Sequence, residues 1–109
     1  MSDVTLDDFA AAHASGAQVV DVREAAEYVA GHVPGATSIP MGQLPDRLGE
    51  ISRTQPVFVI CQAGGRSSAM TDVLIQRGFD ARSVTGGTTA WTDTGRPVDI
   101  GAPKRKGPR

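Results

Sequence analysis

A single cysteine, Cys61, follows the most strongly strand-like run of the chain, "PVFVI". After four intervening residues, Arg66 closes the glycine-rich segment that comes next. Gly64 and Gly65 permit the positive φ angles of a loop whose backbone N–H groups, over residues 62–66, point inward. Such a ring of amides would bind an anionic group carried by the cysteine sulfur.

The surroundings of Cys61 favour the thiolate over the thiol. The loop amides, the N-terminus of a helix beginning near Ser67 and the charge of Arg66 should lower the pKa of the thiol below its usual value. A thiolate of this kind is a nucleophile at neutral pH. The alternative is a small buried hydrophobic residue that ends a strand. We expect the nucleophile, since the alternative leaves the glycines and the arginine unexplained.

Strand-like and helical segments alternate along the rest of the chain. The strand-like segments are "AQVVDV", "ATSIP", "PVFVI" and "ARSVT". This alternation predicts an α/β fold with a central parallel sheet of four to five strands and helices on both faces. Ligands of such sheets bind beyond the carboxyl ends of the strands. The rule places Cys61 and Asp21, which ends "QVVD", at the same functional edge.

Two helices carry specific local predictions. Thr5 is expected to cap the first helix. Leu44, Leu48 and Ile51 repeat at helical spacing and predict an amphipathic helix, with Pro45 in its first turn.

Length and composition set the class of protein. The 109 residues suit one domain, with 39% hydrophobic and 21% charged residues, as in ordinary globular proteins. No apolar run approaches the ~18 residues of a membrane span, so no membrane partner is expected. The N-terminus lacks the pattern of a secretory signal, which predicts a cytoplasmic protein. One cysteine and two distant histidines offer neither an internal disulfide nor a zinc site, and no cofactor or metal is expected.

The C-terminal segment differs from the body in charge. Residues 101–109, "GAPKRKGPR", hold four of the eleven positive charges of a chain whose net charge is −1. We interpret residues 3–100 as the domain and 101–109 as a basic, disordered tail. A contact with nucleic acid or an acidic partner is the alternative for the tail, but no nucleic-acid partner is expected.

Three segments resemble the rhodanese-like domain family. The order Cys61, four residues, Arg66 is similar to the active-site loop of these sulfurtransferases, which carry sulfur as a cysteine persulfide. "DVREAAEYVAGHVPGATSIP", from Asp21 to Pro40, resembles the family's first signature, and "VTGGTTAW" resembles a later one. The resemblance covers nearly the whole of residues 3–100, with these segments in the order that the family has them. The resemblance implies a single-domain sulfurtransferase.

The resemblance also implies roles for individual residues. Cys61 and Arg66 match the catalytic positions. The substrate-binding positions are matched by Gln62, Ala63, Gly64, Gly65, Ser67, Asp21 and Arg23. For Asp21 and Arg23, a structural ion pair is as good an interpretation as a role in orienting Arg66 or guiding an anionic donor.

Other residues of the resembling segments are interpreted as structural. His32, Tyr28 and Trp91 are expected to support the fold rather than catalyse. Glu24 and Glu27 are interpreted as charges on a helix surface.

The implied reaction is a double displacement through a Cys61 persulfide. A sulfane donor such as thiosulfate supplies the sulfur, and an acceptor removes it: cyanide in vitro, a thiol or protein in the cell. Some thiosulfate-using members have a basic residue after the cysteine, where this chain has Gln62, so thiosulfate is not expected to be the preferred donor. One alternative is a non-catalytic or carrier module that acts by partner binding. Another is a cysteine phosphatase or arsenate reductase, although their loops have five residues between cysteine and arginine.

Overall fold

The computed structural model describes residues 2–103. Its strands are β1 (Asp3–Val4), β2 (Gln18–Asp21), β3 (Thr37–Ser38), β4 (Val57–Ile60) and β5 (Ala81–Val84). Its α-helices are α1 (Leu6–Ala14), α2 (Ala25–Ala30), α3 (Gly65–Gln76) and α4 (Gly87–Asp93). Two 3₁₀ helices, Met41–Asp46 and Leu48–Glu50, connect β3 to β4.

All five strands form one parallel sheet in the order β1-β5-β4-β2-β3. The predicted α/β class and the parallel sheet are therefore confirmed. The strand that no sequence segment indicated is β1, which has only two residues and pairs with the edge of β5. Strand β4 lies at the centre of the sheet, and Cys61 directly follows it in the sequence.

Side chains of β4 alternate between two core layers, as the pleat of a strand requires. Val57 and Val59 pack on the side of α3 and the 3₁₀ helices. Phe58 and Ile60 pack on the side of α1, α2 and α4. Helices cover both faces, as predicted, and the apolar run of β4 is buried throughout.

The predicted amphipathic helix through Leu44, Leu48 and Ile51 is wrong. The segment forms the two 3₁₀ helices, in which Ile51 donates its N–H to the carbonyl of Leu48, three residues back, at 3.1 Å. Pro45 lies inside the first of them. Because proline has no N–H, it cannot donate the α-helical bond to the carbonyl of Met41. Leu44 and Ile51 are nevertheless buried.

The packing residues are placed as expected. Tyr28 and His32 stack with ring centroids 3.6 Å apart, and the Tyr28 hydroxyl donates to the carbonyl of Ala36 at 2.7 Å. The Trp91 indole is buried and donates to the carbonyl of Pro97 at 2.7 Å. These contacts join α2 and α4 to their following loops.

The two ends of the domain are fixed locally. Thr5 caps α1 as predicted, accepting the N–H of Asp8 at 3.0 Å. Near the other end, the N–H of Gly101 donates to the carbonyl of Val29 at 2.9 Å. The greater part of the predicted tail, residues 104–109, lies outside the described residues. Among the helices of residues 2–103, none has the length and apolar character needed to cross a bilayer.

Candidate active site

Cys61 occupies the carboxyl edge of the sheet, as the topology predicted. It directly follows β4, and Asp21 ends the neighbouring strand β2 in register with Ile60. The chain then turns sharply into α3, with Gly64 as N-cap at a left-handed φ of 116°. That angle explains one of the two glycines, because residues with a Cβ rarely adopt it.

The sulfur of Cys61 lies inside the loop. The residue is 1% exposed. Its Sγ accepts the backbone N–H of Gly64 at 3.1 Å and lies 3.5 Å from the hydroxyl oxygen of Ser67. The loop therefore brings an amide and a hydroxyl onto a sulfur that faces the interior of the turn.

Two opposing effects act on the pKa of Cys61. Burial is the larger single effect and raises the pKa, since it disfavours the thiolate. Hydrogen bonds from the Ser67 hydroxyl and from the amides of Ser67, Gly64 and Ala63 lower it. Together the hydrogen bonds outweigh burial, and the pKa lies below its usual value. The loop thus favours a thiolate without exposing it to solvent.

The hydroxyl of Ser67, which contacts the Cys61 sulfur, in turn contacts a second serine. Ser67 Oγ lies 3.1 Å from the carbonyl oxygen of Gly64 and 2.9 Å from Oγ of Ser83, a buried residue of β5. Sequence reasoning missed Ser83, because nothing in "ARSVT" indicates a link to the loop. The contact arises because β5 pairs with β4.

Arg66 extends from the loop to the rim of the site. Its guanidinium donates two parallel hydrogen bonds to the carboxylate of Glu27 on α2, at 2.7 and 2.9 Å. Glu27 was interpreted as a charge on a helix surface; its side chain on α2 is about one-third exposed and also binds Arg66, a contact that the interpretation did not include. The hydrogen bond from Arg66 is the main cause that lowers the pKa of Glu27 to about 2. The two residues are 39 positions apart in the sequence, so no local pattern indicated that they pair.

Asp21 and Arg23 form the structural ion pair that was one of their two interpretations. The guanidinium meets Asp21 Oδ2 at 2.8 Å, and both side chains are almost fully buried. Arg23 also donates to Gln62 Oε1 at 3.0 Å, and Gln62 in turn donates to the hydroxyl of Thr89 at 2.7 Å. The Asp-x-Arg pair thus reaches the loop through Gln62, and Arg66 has its own carboxylate.

Helix α4 holds the start of the loop from the other side. The backbone amides of Thr88 and Thr89 donate to the carbonyls of Cys61 and Gln62 at 2.8 and 3.0 Å. These bonds turn both carbonyls toward α4, so that the loop interior is left to N–H groups. The threonines were not predicted as part of the site, although the preceding "GG" belongs to a quoted signature segment.

Two cavities differ in their relation to the thiol. A cleft of about 340 Å³ beside the loop is lined in part by Arg23, Glu27 and Gln62. A larger cavity of about 590 Å³ lies against β3 and residues 99–103 and includes none of the predicted site residues. We place the candidate site at Cys61 because its hydrogen-bonded sulfur lies in the loop, and not by cavity volume.

Comparisons of the chain with known proteins show which family and which solved structures it is similar to. The model of the rhodanese-like domain matches residues 5–94. A solved rhodanese-related protein from Thermoplasma volcanium is 29% identical with a TM-score of 0.86, covering 92% of this chain and 99% of that chain. This structure has the same α/β architecture.

Three proteins with related sequences differ in how much of their own length this chain matches. A sulfurtransferase of Allochromatium vinosum is 35% identical, over 73% of this chain and 76% of that protein. An HTH-type transcriptional regulator of Mycobacterium tuberculosis is 39% identical, over 78% of this chain but 38% of the regulator. A putative sulfur carrier protein of Bacillus subtilis is 33% identical, over 68% of this chain and 40% of the carrier. The chain therefore spans less than half the length of the last two.

Proposed function

The chain belongs to the rhodanese-like domain family, and we propose that it is a sulfurtransferase that carries a sulfane sulfur on Cys61 as a persulfide. One observation carries the proposal: Sγ of Cys61 lies within a loop whose Gly64 amide donates to it at 3.1 Å. A thiolate stabilised in this way is both a nucleophile and the product of each completed turnover.

In the first half-reaction the Cys61 thiolate attacks the outer sulfur of the donor. With thiosulfate, the new S–S bond forms as the donor's own S–S bond breaks, and sulfite departs with the electron pair. The product is a Cys61 persulfide anion, whose terminal sulfur takes hydrogen bonds from the loop amides. The charges balance, so the step requires no oxidant and no proton.

In the second half-reaction an external nucleophile removes the terminal sulfur. Cyanide becomes thiocyanate, and a thiolate becomes a persulfide, while the electron pair of the broken S–S bond returns to Cys61. Because Cys61 is the only cysteine of the chain, no second thiol in it can take the sulfur as an internal disulfide. The acceptor therefore comes from another molecule, either a small thiol or a protein.

A carrier function is the second candidate, and one observation favours it. Two relatives, the putative sulfur carrier and the transcriptional regulator, are much longer than the part that matches this chain. In such a setting the domain would hand its sulfur to one partner rather than turn over free donors. The phosphatase alternative is weaker, because only four residues separate Cys61 from Arg66, and the smaller loop suits one sulfur atom better than a tetrahedral oxyanion.

Mass spectrometry of the intact protein tests the proposal. Incubated with a sulfane donor and desalted, the protein should gain the mass of one sulfur atom, and cyanide or glutathione should remove it. Cys61→Ser is the control and should gain nothing while it remains folded by circular dichroism. No mass gain with any of several sulfane donors, or an equal gain in Cys61→Ser, would refute the proposal. A persulfide released only to a protein thiol would identify the carrier.

A further inference from the structure

Within residues 2–103, the two arginines that touch the loop or belong to it already have carboxylate partners. Arg66 is held by Glu27 through two hydrogen bonds, and Arg23 is held by Asp21. Each pair adds one positive and one negative charge. The positive charge of each arginine is therefore balanced by its carboxylate partner when a negatively charged donor approaches Cys61. The groups left to bind such a donor are the backbone amides of the loop.

We propose that Glu27 is a specificity-determining residue that occupies Arg66 and thereby selects sulfur donors of low negative charge over dianions such as thiosulfate. The inference rests on the proposed sulfur transfer at Cys61 and names the donor class of that same site. Glu27 belongs to α2 and borders the cleft beside the loop. A donor that used this cleft would face its carboxylate.

The carboxylate of Glu27 is fixed in place before any donor arrives. Its Oε1 accepts the backbone N–H of Glu24 at 3.0 Å, as part of the box that caps α2. The same carboxylate then meets Arg66 face to face, at 2.7 and 2.9 Å. Both side chains are about one-third exposed. Since two-pronged pairing satisfies the guanidinium as a bound anion would, a dianion must compete with Glu27 for Arg66.

The ionisation of this carboxylate persists at every pH near neutrality. Its pKa of about 2 keeps Glu27 charged there. The carboxylate thus both competes for Arg66 and repels a second anion at short range. Glu24 adds a negative charge on the same turn but makes no ion pair with an arginine of the described residues. A substitution of Glu24 therefore serves as the control for one of Glu27, because it removes a negative charge from the same helix turn and leaves the ion pair of Arg66 intact.

Two donors of similar shape isolate the effect of charge. Thiosulfate carries two negative charges, and methanethiosulfonate replaces one of its oxygens by a methyl group and carries one. Both transfer the outer sulfur to the Cys61 thiolate, releasing sulfite or methanesulfinate with the electron pair. In a double displacement, kcat/KM for the donor reports only this half-reaction. The ratio of the two kcat/KM values therefore measures selection by donor charge.

The experiment compares wild type, Glu27→Gln and Glu24→Gln with both donors. Glutamine at 27 can still accept the N–H of Glu24, so the helix cap is retained. We expect Glu27→Gln to shift the ratio by about tenfold toward thiosulfate, because Arg66 becomes free to bind a dianion. Glu24→Gln removes the same net charge and should leave the ratio within twofold of wild type. In wild type, added salt should favour thiosulfate relative to methanethiosulfonate, since it screens the repulsion.

The outcomes separate this inference from the proposed function. Persulfide formation with both donors, but an equal ratio in wild type and Glu27→Gln, would overturn the role of Glu27 and leave sulfur transfer intact. An equal shift in Glu24→Gln would also overturn it, because general charge would then explain the effect. Failure of both donors to load Cys61 in wild type would overturn the sulfurtransferase itself. If Glu27→Gln does not fold, the absence of a salt effect on the wild-type ratio would overturn the inference.

Discussion

Gly87 lies so close to Cys61 that a Cβ atom on it would stand 2.5 Å from the Cys61 carbonyl oxygen. Its φ of 59° is also in the left-handed region. This close approach lets the first turn of α4 donate amides to the carbonyls of the loop. The loop that holds the Cys61 sulfur therefore requires glycine at position 87, the second residue of the Gly-Gly pair.

We predict that Gly87→Ala distorts the loop and slows persulfide formation at least about tenfold. The added methyl group should also lower the free energy of unfolding by roughly 1–3 kcal/mol, from overpacking and backbone strain. Gly49→Ala is the control, since a Cβ there meets nothing within 4 Å. Urea unfolding and mass spectrometry of donor-treated protein measure the two effects. Wild-type loading in Gly87→Ala would show that α4 does not position the loop.

Ser67 and Ser83 should act together on the pKa of Cys61. A thiolate can only accept hydrogen bonds, so the Ser67 hydroxyl must turn from the Gly64 carbonyl to the sulfur when the thiol ionises. A hydrogen bond from Ser83 to Ser67 Oγ supports that orientation. Ser67→Ala should therefore raise the pKa of the thiol, and Ser83→Ala should raise it by a smaller amount.

The rate of thiol alkylation as a function of pH measures this shift. The exposed neighbour Ser68 supplies the control, and Ser68→Ala should keep the wild-type profile. At neutral pH the rate should fall in the order wild type, Ser83→Ala, Ser67→Ala. Superimposable profiles for wild type and Ser83→Ala would remove Ser83 from the site.

The buried pair of Asp21 and Arg23 should contribute far more to stability than a similar exposed pair. Asp21→Ala leaves a buried guanidinium without its carboxylate, which should cost about 3 kcal/mol of unfolding free energy. Asp80 and Arg82 have the same sequence spacing but are 58% and 41% exposed in their side chains. Asp80→Ala should change stability by less than about 1 kcal/mol. Equal losses in urea unfolding would contradict the structural assignment of Asp21.

The pair of Glu27 and Arg66 should stabilise the fold in a defined range of pH. Because the pKa of Glu27 is lowered, the contribution of the pair to stability is fully present above the usual pKa of 4.5 and is lost as pH falls through about 2. In Arg66→Ala, NMR titration should show the pKa of Glu27 returning toward 4.5. The stability difference from wild type, at most about 1 kcal/mol after solvent screening, should vanish below pH 2. Arg47→Ala, which breaks an exposed pair with Glu50, should leave the titration of Glu27 unchanged.

The size of the loop should select sulfur over larger anions. One glycine inserted between Gly64 and Gly65 gives five residues between Cys61 and Arg66. We expect less persulfide to survive desalting, because the amides no longer converge on one sulfur atom, and we expect phosphate or arsenate to slow alkylation of the thiol. An insertion variant with wild-type persulfide yield would show that loop size does not select the ligand.

The sequence by itself determined the layers of the fold and the place of the thiol. Alternating apolar strands and helices require a covered parallel sheet, and a cysteine directly after the central strand must lie at its carboxyl edge. Local signals also sufficed for the cap at Thr5. The 3₁₀ segment was mispredicted because the spacing of Leu44, Leu48 and Ile51 is that of an α-helix. Pro45 has no N–H to donate to an α-helical hydrogen bond, and the prediction gave this too little weight.

Only the tertiary structure decided the partners of the charged and polar side chains. Glu27 and Arg66 are 39 residues apart, and Ser67 and Ser83 are 16 apart. No periodic pattern links such positions, since their contact depends on how α2 and β5 pack beside the loop. Burial and backbone direction have a repeating signature in sequence, but a hydrogen bond between distant side chains has none. The sequence therefore indicated Cys61 and its loop, while the contacts of Glu27 with Arg66 and of Ser83 with Ser67 became visible only in the structure.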